Sequence, residues 1–182
     1  MSSNNSFLNK KELLEMGFAS FGNNVLISRK ASFYGADKMN IGDNVRIDDF
    51  CILSGNITLG SNIHISAYSA LYGAFGIELK DYSGISPRCT LFSASDDFSG
   101  DSLIGPLVAE EFQKIIGGKI ILEKYSQLGA NTIVLPNCTI KEGSVTGSMT
   151  LVTRTLDAWK IFHGIPAKYI KERKKNLLNF IK

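Results

Sequence analysis

Cysteine and histidine are scarce in this chain, three and two among 182 residues. So small a set cannot build a three-ligand zinc site of ordinary spacing, so no metal is expected. Cys51, Cys89 and Cys138 all recur at one slim position of the repeat described below, which makes them buried apolar thiols rather than disulfide partners or metal ligands. Long apolar runs are missing too. None approaches the roughly 18 residues that span a bilayer, and the polar start MSSNNSFLNKKE has no signal-peptide core. The expectation is a cytoplasmic chain with no membrane span. A net positive charge is absent from most of the molecule: the net charge is +3, but six Lys or Arg stand from Lys168 onward against Glu172 alone, which leaves the rest at −2. A nucleic-acid surface spread along the fold is therefore not expected.

What the chain does have is a six-residue rhythm. Ile41, Ile47, Leu53, Leu59, Ile65 and Leu71 follow one another at that interval, and a two-residue slip at Ala74 to Gly76 resets the count to Leu79, Ile85 and Leu91. The rhythm returns at Leu122, Leu128, Val134 and Ile140; Thr146 breaks the apolar run and Val152 resumes it. Four residues after each aliphatic stands something small or slim, as at Cys51, Ser69, Ser83, Cys89, Ser126, Thr132, Cys138, Ser144 and Thr150, together with Val45 and Ile63. A six-residue step fits neither the helical period of 3.6 nor a long alternating strand. It fits a short strand plus a turn, three per coil, with equivalent residues stacked roughly 4.8 Å apart along an axis. Such self-similarity defines a solenoid, here an all-β prism with aliphatic columns inside and no room for a pocket. Chemistry must then lie outside, where a loop leaves the prism or two prisms meet.

The whole chain, 1–182, reads as one domain. Asn9 caps a short N-terminal helix of about 10–16, ending at Gly17, with Leu13, Leu14 and Met16 lidding the open prism. Coils are expected over about 25–95 and 120–157, with Ile27 and Phe33 inward, SFYGADKMN bulging outward, and Gly42, Asn44, Gly60 and Asn62 at tight corners. Between them, 96–119 has no register and reads as a projecting loop with a short helix near Val108 to Lys114. A basic C-terminal helix over about 168–181 is expected to pack through Tyr169, Ile170, Leu177, Leu178 and Ile181.

The repeats IGDNVRI, LGSNIHI, ISPRCTL and LGANTIVLPNCTIKEGSV, followed by HGIPAK, resemble the hexapeptide-repeat acyltransferases, from Val25 to Ala167. The nearest branch acylates sugars in bacterial polysaccharide and antibiotic-inactivation pathways. The resemblance implies a left-handed parallel β-helix; handedness comes from the resemblance, since parallel crossovers are generally right-handed. It also implies acetyl-CoA, or another acyl-CoA, as co-substrate and a homotrimer with active sites in the grooves between prisms. By position in the family, coenzyme A lies along Gly129, Ala130, Gly147 and Ser148, with Pro166 turning the chain and Lys168, with Arg173 or Lys174, near its phosphates. The Ala130 N–H is the candidate oxyanion donor.

Many relatives carry a catalytic histidine just past the ISPRCTL repeat, where this chain has Asp96 in SASDDFSG. His64 lies in a regular repeat and His163 in the tail motif. A carboxylate with a reference pKa near 3.9 is a weak base for a sugar hydroxyl, whereas an amine of reference pKa near 8 already supplies free base at neutrality. Asp96 or Asp97 can hold the ammonium and position it, with Asp101 and Tyr72 as further acceptor contacts. That favours N-acylation of a nucleotide-linked amino-deoxy sugar. O-acetylation of a hydroxyl is the alternative, and a non-catalytic scaffold the alternative of another class. The γ-class carbonic anhydrases share the fold but need three metal-binding histidines.

Overall fold

The structure, a computed structural model, describes residues 6–181. Its strands stack in parallel into a solenoid of about seven turns, matching a left-handed β-helix. Each coil contributes one strand to each of three faces, and the pairings reproduce the six-residue register residue by residue. On the first face Ile41 pairs with Leu59, Leu59 with Leu79, Leu79 with Leu122 and Leu122 with Ile140. On the second Ile27, Ile47, Ile65, Ile85 and Leu128 follow in order. On the third the order is Phe33, Leu53, Leu71, Leu91, Val134 and Val152. Ile65, Leu71, Leu91, Leu122 and Leu128 are wholly buried, as are the slim residues Cys51, Ser69, Cys89, Ser126, Thr132 and Ser144.

Thr146 stands in the aliphatic column of the second face yet is buried. Its Oγ1 accepts from the Gly129 N–H at 3.0 Å and lies 3.0 Å from Thr132 Oγ1, so the hydroxyl is satisfied and the column continues without an apolar side chain.

The corners use left-handed backbone, as at Asn44 and Asn62 with φ 55° and 61°. Gly42 and Gly60 serve differently: neither has positive φ, and a Cβ on Gly42 would sit 2.5 Å from the Gly60 carbonyl oxygen. They are small because successive coils touch there. The three edges also differ in what they carry. The edge between the third and first faces takes every insertion: the 3-10 turn Ala36–Lys38, the widening at Ala74 to Gly76, and the excursion that leaves after Ser93 and returns at Gly118. The edge between the second and third faces is uninterrupted.

Asn9 caps the helix Lys10–Glu15 through a reciprocal capping box with Glu12, and Glu12 also binds Arg29 at 2.5 and 2.7 Å. Leu13 alone of the expected lid residues is buried; Leu14 faces solvent. Coils begin earlier than expected, at Ser20–Phe21 paired with Asn40 and Ile41. The excursion is a hairpin, Ala94–Asp96 antiparallel to Ile115–Gly117, and the expected helix near Val108 to Lys114 is one 3-10 turn, Glu110–Phe112. The Gln113 amide donates to the carbonyls of Gly105 and Val108, closing the turn locally.

No α-helix forms over 168–181. Lys168–Glu172 is a strand antiparallel to Lys160–His163, and Asn176–Phe180 is 3-10. The reason is the open edge of the last second-face strand, whose N–H and C=O groups a helix would have left unpaired. Of the residues expected to pack a helix, Tyr169, Ile170 and Leu178 are exposed and Leu177 and Ile181 are half-buried.

Candidate active site

At the edge between the second and third faces, equivalent corner residues stack as Asp48, Ser66, Ser86, Gly129 and Gly147. The Asp48, Ser66, Ser86, Gly129 and Gly147 amides donate to Ile65, Ile85, Leu128, Thr146 and Phe162 carbonyls in turn. In the last two of these corners the next residue leaves its N–H unpaired: among the described residues the Ala130 and Ser148 N–H groups have no partner. Gly129 and Gly147 keep this strip flat. A Cβ on Gly129 would meet the Thr146 carbonyl oxygen at 2.6 Å, and one on Gly147 would meet His163 Nδ1 at 2.6 Å. The strip therefore offers two free donors over bare backbone, a surface on which an extended amide-bearing chain can lie. Ser86 stands one coil toward the N-terminus, half-buried, its hydroxyl without a partner among the described residues.

The hairpin root separates the two adjacent aspartates. Asp97 is buried, its carboxylate 2.7 Å from Lys114 Nζ and accepting from the Ser99 N–H and hydroxyl at 3.0 Å each. Lys114 above all, then Ser99, holds the Asp97 carboxyl below the usual carboxylate range. Asp96 is half-buried in the strand Ala94–Asp96, and its carboxylate has neither an ion pair nor a hydrogen bond among the described residues. Asp97 thus closes the loop, and Asp96 is the one carboxylate of the pair without a partner among the described residues. Asp101 is exposed and borders a loop cavity of about 520 Å³ with Ser102, Phe112 and Lys114. Tyr72 stacks on Phe92 at the loop's base, rings 5.4 Å apart.

At the far end, Lys168 is exposed and unpaired among the described residues. Arg173 is placed otherwise than expected of a phosphate ligand: its Nη1 donates to the carbonyls of Tyr125 and Gly143 at 2.7 and 2.9 Å, and burial pulls its pKa down. It clamps the C-terminal strand to the prism. Lys174 is exposed, and Pro166 follows a cis peptide bond in the turn between the last two strands. His64 is half-exposed and 2.7 Å from Asp48. Burial lifts the thiols of Cys51, Cys89 and Cys138 to about 11, consistent with interior packing. Among the described residues no three His, Cys, Asp or Glu side chains converge as a metal site would require, and no helix is long and apolar enough to cross a membrane.

No protein-family model matches the chain. It is 42% identical over 176 residues to an Escherichia coli dTDP-4-amino-4,6-dideoxy-D-glucose acyltransferase, covering 95% of this chain and 92% of that protein. It superimposes with a TM-score of 0.95 on AntD, an N-acyltransferase from Bacillus cereus in complex with dTDP-4-amino-4,6-dideoxyglucose and coenzyme A, at 47% identity over 97% of this chain and 95% of that one. AntD has also been solved with dTDP and 3-hydroxybutyryl-CoA. Variants of AntD replace one serine or, ten positions on, one aspartate. In this chain only Ser86 stands ten residues before an aspartate, and that aspartate is Asp96. Ser86 was not singled out from the sequence, because serine recurs at these corners, as at Ser66, and its spacing from Asp96 has no meaning without the comparison. A hexapeptide-repeat acetyltransferase from Vibrio cholerae, 17% identical with a TM-score of 0.60, shares the fold. Coil register and near-full-length identity together place this chain in the hexapeptide-repeat, acyl-CoA-dependent sugar acyltransferases.

Proposed function

We propose that the protein transfers the acyl group of an acyl-CoA to the amine of a dTDP-linked 4-amino-4,6-dideoxy sugar, as a cytoplasmic step of bacterial polysaccharide biosynthesis. The observation that carries the reading is the contrast at the hairpin root: buried Asp97 is neutralised by Lys114, while half-buried Asp96 has no counter-charge among the described residues. A carboxylate so placed is stabilised by an ammonium, and a ligand amine supplies one.

In this reading the pantetheine arm lies on Gly129 and Gly147, with the Ser148 N–H free to bind an amide oxygen of the arm and Lys168 near the coenzyme phosphates. Asp96 draws in the ammonium and orients it. Once the ammonium has given one proton to solvent water, the amine nitrogen attacks the thioester carbonyl; the C–N bond forms and the oxyanion is held by the Ala130 N–H. The C–S bond then breaks, and the proton shed by the nitrogen ends on the leaving thiolate, with the Ser86 hydroxyl able to pass it. Tyr72 and Asp101 border the acceptor side.

Ser86 and Asp96 stand on different edges of one prism, so the site is completed between copies: the loop of one protomer meets the flat edge of its neighbour in a homotrimer. The loop is suited to that contact. Leu107 is 99% exposed and Phe98 74%, with Ile104, Phe112 and Ile116 also open, more apolar surface than a solvated loop requires.

The test is mass spectrometry of the product, with thiol release, when acetyl-CoA or 3-hydroxybutyryl-CoA is supplied with dTDP-4-amino-4,6-dideoxyglucose or with simple glycosides. An amide on the amino sugar is expected. Acylation of glycosides alone refutes the reading.

A further inference from the structure

Among the described residues, the three interior columns carry a single polar side chain, Thr146. On its own face Ile27, Ile47, Ile65, Ile85 and Leu128 precede it and Phe162 follows, all buried. A hydroxyl at that place adds nothing to the burial that holds the prism together, and it is tolerated only if it finds partners of its own. It finds them directly beneath the strip of Gly129, Ala130, Gly147 and Ser148.

The Gly129 N–H reaches both the Thr146 carbonyl, at 3.1 Å, and the Thr146 hydroxyl, at 3.0 Å. The Thr132 hydroxyl lies 3.0 Å from that of Thr146 and donates to the Gly147 carbonyl at 3.4 Å, so Thr146 is the donor between the two threonines. The Thr150 hydroxyl donates to the same Gly147 carbonyl at 2.8 Å. One chain of hydrogen bonds therefore runs from the Gly129 N–H through two buried hydroxyls to the Gly147 carbonyl. At Ser66 and Ser86, farther toward the N-terminus on this edge, the corner N–H meets only a carbonyl among the described residues, that of Ile85 and Leu128 in turn.

These contacts fix a direction. The Gly129 carbonyl accepts from the buried Cys89 thiol and from the Thr132 N–H, at 3.2 Å each, and so faces inward. The peptide is trans, which sends the Ala130 N–H the opposite way, out of the prism. Gly129 is a glycine because a Cβ would collide with the Thr146 carbonyl oxygen at 2.6 Å, yet glycine backbone is the loosest of all. A donor that must meet a charge formed only in the transition state works when it is held in place beforehand. The Thr146 hydroxyl supplies that hold.

Resting on the reading above, in which the Ala130 N–H holds the oxyanion, we propose that Thr146 is a positioning residue for acyl transfer. Its hydroxyl fixes the Gly129–Ala130 peptide, and through it acts on the transition state rather than on substrate binding. Thr146→Val and Thr146→Ser, compared with wild type by steady-state thiol release, mass spectrometry of the amide and thermal melting, test it. Valine keeps the shape and suits an aliphatic column; the Gly129 N–H still has the residue 146 carbonyl, and the Gly147 carbonyl still has Thr150. In Thr146→Val, kcat should fall about tenfold, a part of the roughly 10²–10³ that loss of a whole oxyanion donor costs. KM for acyl-CoA and for the amino sugar should stay within about twofold, and the melting transition should be no lower than in wild type. Thr146→Ser should recover most of the lost kcat although it loses a buried methyl group and melts lower. Rate and stability then run in opposite orders, which a merely structural role does not produce. A valine variant with wild-type kcat, or a serine variant as slow as the valine one, overturns the proposal while the transfer activity stands. A wild type that forms no amide from any acyl-CoA removes the reading on which the proposal rests, and the proposal with it.

Discussion

Asp96→Asn keeps the size and one acceptor oxygen of the side chain and deletes only its charge. Opposite unit charges about 4 Å apart in an effective dielectric near 20 attract by about 4 kcal/mol. Asp96 is half-buried rather than enclosed, and salt screens what faces solvent, so roughly 1.5–3 kcal/mol of that attraction survives. At about 1.36 kcal/mol per factor of ten, kcat/KM for the amino sugar should drop about 10- to 150-fold, with coenzyme A affinity intact. Steady-state thiol release with saturating acyl-CoA and varied amino sugar measures this. Asp97→Asn is the necessary comparison, because it breaks the pair with Lys114 and disturbs the hairpin while leaving the free carboxylate in place. A kcat/KM within twofold of wild type in Asp96→Asn would refute the reasoning, as would a larger loss in Asp97→Asn without any loss of stability.

Leu71 is wholly buried in the third-face column, so Leu71→Ala should cost about 2–5 kcal/mol in urea denaturation, whereas Leu14→Ala, on the solvent side of the N-terminal helix, should change it by less than about 0.5 kcal/mol. Equal effects at the two sites would contradict the columns. Asp97 has a lowered pKa, so it adds stability above the unfolded value near 3.9 and loses that contribution as pH falls through its folded value. The melting temperature of Asp97→Asn should accordingly lie below wild type at pH 7, with the gap beginning to narrow once the pH falls below about 4 and narrowing further with more acid. A gap that does not narrow at all with acidification would show that the charge is not what Asp97 supplies.

How much could be read in advance depended on whether a residue's role was local. The slim positions from Val45 to Thr150 were legible because each sits at a fixed offset from an aliphatic, and all of them are buried; the one break in the aliphatic column, Thr146, is filled by a satisfied hydroxyl. Asp96 was legible as the residue in the place of a missing histidine. Whether it or Asp97 stays free was not, since that depends on Lys114, seventeen residues from Asp97 and brought near only by the hairpin. Arg173 looked like a phosphate ligand by its charge; the carbonyls it clamps, Tyr125 and Gly143, are far away in sequence.

The coil, its three aliphatic columns and the site of the excursion were determined by the sequence, because a six-residue period forces a strand and a turn wherever it occurs. Tertiary structure decided the rest. The C-terminal segment became the strand Lys168–Glu172 rather than a helix because an unpaired strand edge lay beside it, and no local propensity reports such an edge. In the same way, stacking alone lined up Tyr68, Ser86, Ala130 and Ser148 on one edge, since residues about a coil or more apart in the chain become neighbours only once the coils are wound.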